Sequence, residues 1–228
     1  MRTYHEHSTQ RLTLSHAPNI LDRHPIRVPK QATLALGVAL TLGRAHELCG
    51  PSRRTLALML AAKMDGPVIW IRQSWRGIHL HPDGIAPWFN PGRLLLVDAQ
   101  RDEDLLWCME EALRTGAAPL VVADIASPLP LTPVRRLHLA AETGATNATE
   151  PPLALLLTPG EGGCQGVESR WSMHPAPGWA KDAPARWHLS RLRSRLEPPR
   201  EWRITRDKRQ VVLAEVPKER ELVQVCTV

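Results

Sequence analysis

The chain has 228 residues, of which 43% are apolar and 23% are charged, values typical of one globular domain with a substantial core. A net charge of +6 permits a nucleic-acid partner without requiring one. The cysteines form no C-x-x-C pair, which argues against a zinc site or a disulfide framework and favours reduced thiols. They are Cys49, Cys108, Cys164 and Cys226. Neither a leader peptide nor an apolar run long enough for a bilayer is predicted, so we expect a cytoplasmic protein.

Three regions are predicted along the chain. Residues 1–33 are polar, rich in His and weakly periodic, which predicts a flexible N-terminal arm with a short helix near residues 8–15. Residues 34–209 contain the apolar segments of one α/β domain. Residues 210–228 are predicted to form a charged C-terminal strand and tail.

Short apolar segments alternate with amphipathic ones in the first part of the domain. Buried strands are predicted at 45–50, 67–71, 94–97, 118–124 and 152–158. Helices are predicted at 52–64, 102–116 and 131–144. Met109 and Leu137 lie on the apolar faces of the second and third helices; the third has Thr132 as its N-cap, Pro133 next and Gly144 at its end. This alternation indicates a mainly parallel sheet covered on both faces, which binds ligands at the carboxyl ends of its strands.

The pattern changes after residue 158. Three short segments follow, each with a Trp beside an Arg, at 169–173, 185–195 and 201–205. We interpret them as antiparallel strands that extend the sheet. The middle segment also fits a helical period through Ala185, Leu189, Leu192 and Leu196, so a helix is the alternative there.

The stretch "HELCGPSRRTLALM" has the outline of a phosphate-binding loop between a strand and a helix. The loop residues are Gly50, Pro51, Ser52, Arg53, Arg54 and Thr55. In the pattern G-x-x-x-x-G-K-[ST], counted from Gly50, the second Gly falls on Thr55, the Lys on Leu56 and the hydroxyl on Ala57. Using Arg54-Thr55 in place of Lys-Thr leaves the loop two residues short. The loop is therefore interpreted as degenerate, either a tight turn with two solvated Arg or a weak anion site at the helix N-terminus.

No other catalytic site is predicted, and no metal or cofactor is expected. Asp124 ends an apolar strand, where a Walker B Asp belongs, or it caps the following turn. The closely spaced His residues in "YHEH" (4–7) and "HLHPD" (79–83) are too few to form a metal site. Ser52 and Ser127 lack the spacing of a hydrolase nucleophile.

A basic strip marks the C-terminal part of the domain. Its candidate DNA- or partner-binding residues are Arg186, Arg191, Arg193, Arg195 and Arg203. Arg191, Arg193 and Arg195 alternate, so in a strand they share one face. With Trp187 and Trp202 interleaved, the strip suits single-stranded nucleic acid, which pairs backbone charge with base stacking. The alternative is a solvated sheet face with the Trp residues in the core.

Several segments resemble the RecA family. "LTLGRAHELCGP" is similar to that family's approach to its phosphate loop, and "RDEDLLWCMEEALRTGAAPLVVADIASPLP" to its helix and Walker B strand. More specifically, the chain resembles the ImuA family of RecA-like, damage-inducible mutagenesis proteins over roughly residues 35–205. The matching segments are "GRAHE", "PVIWI", "LLWCMEEALR", "RRLHLAAETG", "SRW" and "RWHLSRLRSR". Two departures from active RecA are that "VIWI" is followed by no Glu and that "LALLLT" lacks a polar sensor.

The resemblance implies a RecA-like fold and a non-enzymatic accessory role in SOS-induced translesion DNA synthesis. The implied partners are an ImuB-like, Y-family-related protein and an error-prone replicative-type polymerase, with RecA as a further candidate. Two alternatives remain: a SulA-like inhibitor of cell division, which has a reduced RecA-like fold, and a divergent RecA-type ATPase.

Overall fold

The computed structural model describes residues 29–35, 37–76, 80–176, 184–207 and 210–216. The strands are β1 (Gln31–Ala35), β2 (Val38–Thr41), β3 (Ala45–Cys49), β4 (Val68–Gln73), β5 (Leu94–Ala99), β6 (Leu120–Asp124), β7 (Leu153–Leu157), β8 (Ser169–Pro175), β9 (Ala185–Ser194), β10 (Arg200–Asp207) and β11 (Gln210–Glu215). The helices are α1 (Arg53–Ala61), α2 (Pro82–Ile85), α3 (Asp102–Thr115) and α4 (Leu131–Asn147), and a 3₁₀ turn lies at Pro91–Arg93.

Nine of these strands form one sheet in the order β11-β10-β9-β8-β3-β7-β6-β4-β5, and β1 and β2 form a separate antiparallel hairpin. All neighbours from β8 to β5 are parallel. The neighbours from β8 to β11 are antiparallel. The predicted α/β class, with a mainly parallel sheet and an antiparallel C-terminal extension, is confirmed.

The sheet changes direction at β8. This strand runs parallel to β3 on one side and antiparallel to β9 on the other, so only one of its two edges is antiparallel. Residues 185–194 form β9, and the helical alternative for the middle Trp-containing segment is therefore wrong.

The sheet separates two apolar cores. On one side, α1 and the β1–β2 hairpin pack against the sheet, and their buried residues include Leu40, Leu56 and Leu60. On the other side, α3 and α4 cover the parallel strands. Met109 and Leu137 are fully buried there, as their helical spacing predicts. Helices on both faces explain why β6 and β7 are buried throughout.

The prediction that 94–97 is a buried strand is wrong. β5 forms the edge of the sheet, so it has a neighbour on one side only. Leu95 is 52% exposed and Leu96 is 45% exposed. The apolar run matched the pattern of a central strand because periodicity does not distinguish an edge from the middle of a sheet.

The ends of α4 also differ from the prediction. The helix begins at Leu131 after Pro130, so Thr132 is its second residue and not the N-cap. Gly144 lies inside the helix and does not end it, because it is the point where α4 crosses α3. A Cβ on Gly144 would lie 1.9 Å from the carbonyl oxygen of Leu113, so only glycine permits this crossing.

Strand β1 begins at Gln31, which places residues 31–33 in a hairpin and not in the N-terminal arm. β11 pairs with β10 along its whole length, as part of the sheet. The helix expected near residues 8–15 lies outside the described residues. Within the described ranges, none of the helices combines the length and the apolar character needed to cross a bilayer.

Candidate functional site

The degenerate loop follows β3 at the carboxyl end of the parallel strands, and β8 approaches it closely. Gly50 has φ of +81°, and a Cβ there would lie 2.7 Å from the carbonyl oxygen of Met173. The Gly50 N–H donates to the Gly160 carbonyl at 2.9 Å, and the Ser52 N–H donates to the Met173 carbonyl at 3.0 Å. These two backbone amides of the loop are thus bonded to the chain's own carbonyl groups and are not free to bind an anion.

Arg54 and Asp124 form an ion pair across this loop. Arg54 Nε donates to Asp124 Oδ2 at 2.6 Å, and Nη2 lies 2.6 Å from the same oxygen. Asp124 is only 8% exposed, at the end of β6. The expectation of a solvated Arg is therefore wrong for Arg54. The carboxylate of Asp124, for which a Walker B role and a turn cap were the two interpretations, binds the guanidinium of Arg54. The ion pair thus connects Arg54, which was considered as the cation of the loop, with Asp124, the Walker B-like carboxylate.

Arg53, the neighbouring loop residue, is half-buried. Its Nη1 donates to the Gly50 carbonyl at 3.0 Å, so its side chain turns back onto the loop. Burial and, secondarily, the charge of Arg54 lower the pKa of Arg53. Arg53 Nε is buried without a hydrogen-bond partner among the described atoms. The interpretation of two solvated arginines therefore fails for both residues.

A buried carboxylate that was not predicted from the sequence lies on β3, shortly before Gly50 at the start of this loop. Glu47 on β3 is fully buried and ion-paired with Arg170 of β8. The hydroxyl of Thr158 and the N–H of Gly163 each donate to Glu47 Oε1 at 2.8 Å. Burial alone would raise the pKa of Glu47, but the bonds from Arg170, the Cys164 N–H and Thr158 outweigh it, and the pKa is lowered.

Glu47 therefore anchors the glycine-rich loop after β7 to β3 and β8. Every polar atom that approaches it donates a hydrogen bond from the protein, so it is a structural carboxylate. A signal for it was present in the sequence, because an acidic residue within the predicted buried strand "AHELC" requires a buried partner.

The basic strip is divided by a β-bulge. Arg170 pairs with Arg193, but Trp171 pairs with Arg191, so Leu192 is the extra residue. The bulge interrupts the alternation of faces, and the prediction that Arg191, Arg193 and Arg195 share one exposed face is wrong. Arg191 is 2% exposed and lies in the core.

The contacts of Arg191 are those of a structural residue. Its guanidinium lies 5.4 Å from the ring centroids of both Trp171 and Trp202. It donates to the Pro198 carbonyl at 3.0 Å and forms an ion pair with Glu197. These groups surround Arg191, so it is not available to a phosphate.

The other residues of the strip lie at the surface. Arg186 and Arg203 are exposed on β9 and β10, and Arg193 is exposed beyond the bulge. Arg195 follows the end of β9, with its Nε 3.9 Å from Glu168 Oε2. Trp187 and Trp202 are buried on the opposite side of the sheet, so the predicted alternation of exposed Arg with stacking Trp is wrong.

Other chemistry-bearing groups in the described part of the chain are engaged in packing. Burial raises the pKa of Cys49 to about 11 and that of Cys164 to about 12, so both thiols are protonated near neutral pH. Among the described residues, no three His, Cys, Asp or Glu side chains converge in a way that could hold a metal ion.

Two surfaces therefore remain as candidate functional sites. One is the loop closed by Arg54 and Asp124, and the other is the basic side of the antiparallel strands that carries Arg186, Arg193 and Arg203. The chain matches no protein-family model, and a comparison with curated protein sequences finds no relative for it.

Proposed function

We propose that this protein is a non-enzymatic, RecA-like accessory factor of SOS-induced translesion DNA synthesis that acts by binding. Its partners in this proposal are an ImuB-like protein and an error-prone replicative-type polymerase. The support for the pathway is the resemblance to the ImuA family, which extends over roughly residues 35–205. The α/β fold with a mainly parallel sheet is compatible with it.

The observation that carries the non-enzymatic part of the proposal is the ion pair between Arg54 and Asp124. In a phosphate-loop enzyme the loop cation reaches the terminal phosphates, and the Walker B Asp serves the magnesium ion. Here the two groups satisfy each other at 2.6 Å. A nucleotide would have to displace this contact, and the loop offers neither the second Gly nor the Lys that would compensate.

A titration with a fluorescent ATP analogue and magnesium tests this part. The expected result is no saturable binding beyond the weak affinity of any anion. Saturable micromolar binding that Asp124→Asn abolishes would overturn the proposal and favour the divergent ATPase. Asp98→Asn is a matched control, because Asp98 is also ion-paired with an Arg near the carboxyl end of a strand but lies on the edge strand β5.

Co-purification tests the pathway. The tagged full-length chain is expected to retain an ImuB-like protein and the error-prone polymerase after DNA damage, and its deletion is expected to reduce damage-induced mutagenesis. Retention of the tubulin-like division protein, with filamentous cells on overexpression, would instead favour the SulA-like alternative. Normal mutagenesis in the deletion strain would contradict the accessory role.

A further inference from the structure

One side of the antiparallel strands β8–β11 is not covered by helices. Trp187, Leu189, Trp202 and Ile204 point to the core beneath the β1–β2 hairpin and α1. The alternating residues of the same strands point to the opposite side. On that side α3 and α4 pack against the parallel strands β3 to β7, and within the described ranges no helix packs extensively against β9, β10 or β11.

This uncovered surface, called the open face below, is strongly basic. Its charged and polar members on the described strands include His174, Arg186, His188, Arg193, Arg203 and Thr205. The register places them side by side, because Arg203 pairs with His188, and His188 pairs with His174 on the next strand. Directly paired residues of adjacent strands project on the same side of a sheet.

The positive charge of the open face is not neutralised by neighbouring carboxylates. Within the described part of the chain, ion pairs form at Arg170, Arg191, Arg195 and Arg200, but not at Arg186, Arg193 or Arg203. Glu201 is an acidic residue on this side, where it pairs in register with Ser190. Three exposed guanidinium groups therefore lie on one flat surface without a partner among the described residues.

The composition of the face identifies the kind of partner. Protein-binding surfaces carry aromatic and apolar residues at their centre and are depleted of charge there. The Trp residues of β8, β9 and β10 are all buried on the other side. The large apolar residues exposed on the described parts of these strands are Leu192 on β9 and Val212 on β11, and neither is aromatic. Nucleic-acid interfaces are more polar and much more positively charged than protein interfaces. The open face, with its exposed arginines and buried Trp residues, resembles a nucleic-acid interface more than a protein interface.

We propose that the open face binds the sugar–phosphate backbone of nucleic acid through Arg186, Arg193 and Arg203, with the exposed His188 as an additional donor. Without an exposed aromatic side chain on these strands there is no platform for base stacking, so binding depends on phosphates and is independent of sequence. Double-stranded DNA, which has the higher charge density, then binds at least as tightly as single-stranded DNA of equal length. This inference rests on the sheet surface alone and is independent of the partners named above.

The test uses the full chain and fluorescently labelled single-stranded and double-stranded oligonucleotides at a series of salt concentrations. The open-face variant carries Arg186→Gln, Arg193→Gln and Arg203→Gln. A control variant carries Arg101→Gln, Arg114→Gln and Arg200→Gln, which removes the same charge from exposed positions outside the open face. Thermal unfolding of both variants checks that each remains folded, as expected for substitutions of exposed side chains.

The parent is expected to bind both oligonucleotides with an affinity that falls steeply with salt. The open-face variant should bind at least about tenfold more weakly, and the slope of log K against log salt should flatten by about two to three units for three lost phosphate contacts. The control variant should retain most of the DNA affinity and most of the salt dependence of the parent. Absence of DNA binding by the parent, or equal losses in the two variants, would overturn the proposal.

An unchanged DNA affinity in a folded open-face variant that no longer co-purifies with the ImuB-like protein would also overturn it, and would identify the face as a protein-docking surface. Conversely, loss of DNA binding with co-purification intact supports the proposal. Failure of the open-face proposal and failure of the proposed function are therefore distinguishable, because one is read from oligonucleotide binding and the other from partner retention.

Discussion

The guanidinium of Arg191 on β9 lies 5.4 Å from the ring centroid of Trp202 on β10 and 5.4 Å from the ring centroid of Trp171 on β8. Arg191 Nη1 also lies 3.4 Å from the Gly37 carbonyl in the turn of the β1–β2 hairpin. One side chain thus joins β8, β9, β10 and the hairpin. Its positive charge is stabilised by aromatic faces, carbonyl oxygens and the carboxylate of Glu197, and not by solvent.

Replacing Arg191 by Ala is expected to destabilise the fold by about 2–4 kcal/mol, because it removes these contacts and leaves a cavity beside the Trp171–Trp202 pair. Arg193→Ala, two residues away on the exposed side, is the matched control and should unfold at nearly the parent's temperature. Thermal and urea unfolding of the two variants measures the difference. Equal thermal midpoints would contradict the buried position of Arg191.

The ion pair of Arg54 and Asp124 is expected to show energetic coupling. Removing Arg54 alone leaves a carboxylate that is 8% exposed without its cation, whereas removing both partners leaves no unpaired charge. A double-mutant cycle of Arg54→Ala and Asp124→Ala should therefore give a coupling free energy of about 1–3 kcal/mol. The cycle of Arg53→Ala with Asp124→Ala should give a smaller value. Equal coupling in both cycles would mean that Asp124 does not discriminate between the two arginines.

Gly144→Ala is expected to destabilise the protein by at least about 2 kcal/mol, because overpacked contacts cost about 1–3 kcal/mol and here the obstacle is backbone. The new Cβ would meet the Leu113 carbonyl oxygen at 1.9 Å, so α3 and α4 would have to separate. Gly84→Ala is the control, since a Cβ at Gly84 has no neighbour within 4 Å. Urea unfolding of the two variants compares them, and a similar loss in both would contradict the close helix crossing.

Stability is expected to fall in mild acid because of His46. The ring lies in the core, where its Nε2 donates to the Thr41 carbonyl at 2.9 Å and its Nδ1 accepts from the Ser169 hydroxyl at 2.6 Å. Burial lowers the pKa of His46 from 6.5 to about 4, and the backbone bond to Thr41 only partly opposes this. Between these two pH values the unfolded chain binds the additional proton, so the free energy of unfolding rises with pH across this window and levels off above it.

The contribution of His46 over this window amounts to about 3 kcal/mol at most. Urea unfolding at several pH values between 4 and 7 measures it in the parent and in His46→Gln, whose amide can still donate to Thr41. The variant is expected to be less stable at neutral pH but to lose less stability on acidification. An unchanged pH slope in His46→Gln would assign the acid sensitivity to other groups.

Local patterns in the sequence were sufficient to predict the order of the elements and part of the core. Met109 and Leu137 occupy helical positions whose period alone places them against the sheet, and both are buried. The alternation of apolar strands with helices likewise predicted a parallel sheet. Both predictions succeeded because the periods of helices and strands are set by residues that are close together in the chain. The absence of a Lys and a second Gly from the loop is also a property of the sequence alone.

Contacts between distant segments decided the rest. Arg54 meets Asp124 because parallel strands bring their carboxyl ends together. Glu47 meets Arg170 because the two residues pair in register on the neighbouring strands β3 and β8. The period of two placed Arg191 beside Arg193 on one face, but the bulge at Leu192 reversed that relationship and put Arg191 in the core. The sequence by itself determined most of the strands and helices between residues 45 and 158, since these depend on local spacing. The tertiary structure decided which charges are paired, buried or exposed, since that depends on what each side chain meets across the sheet.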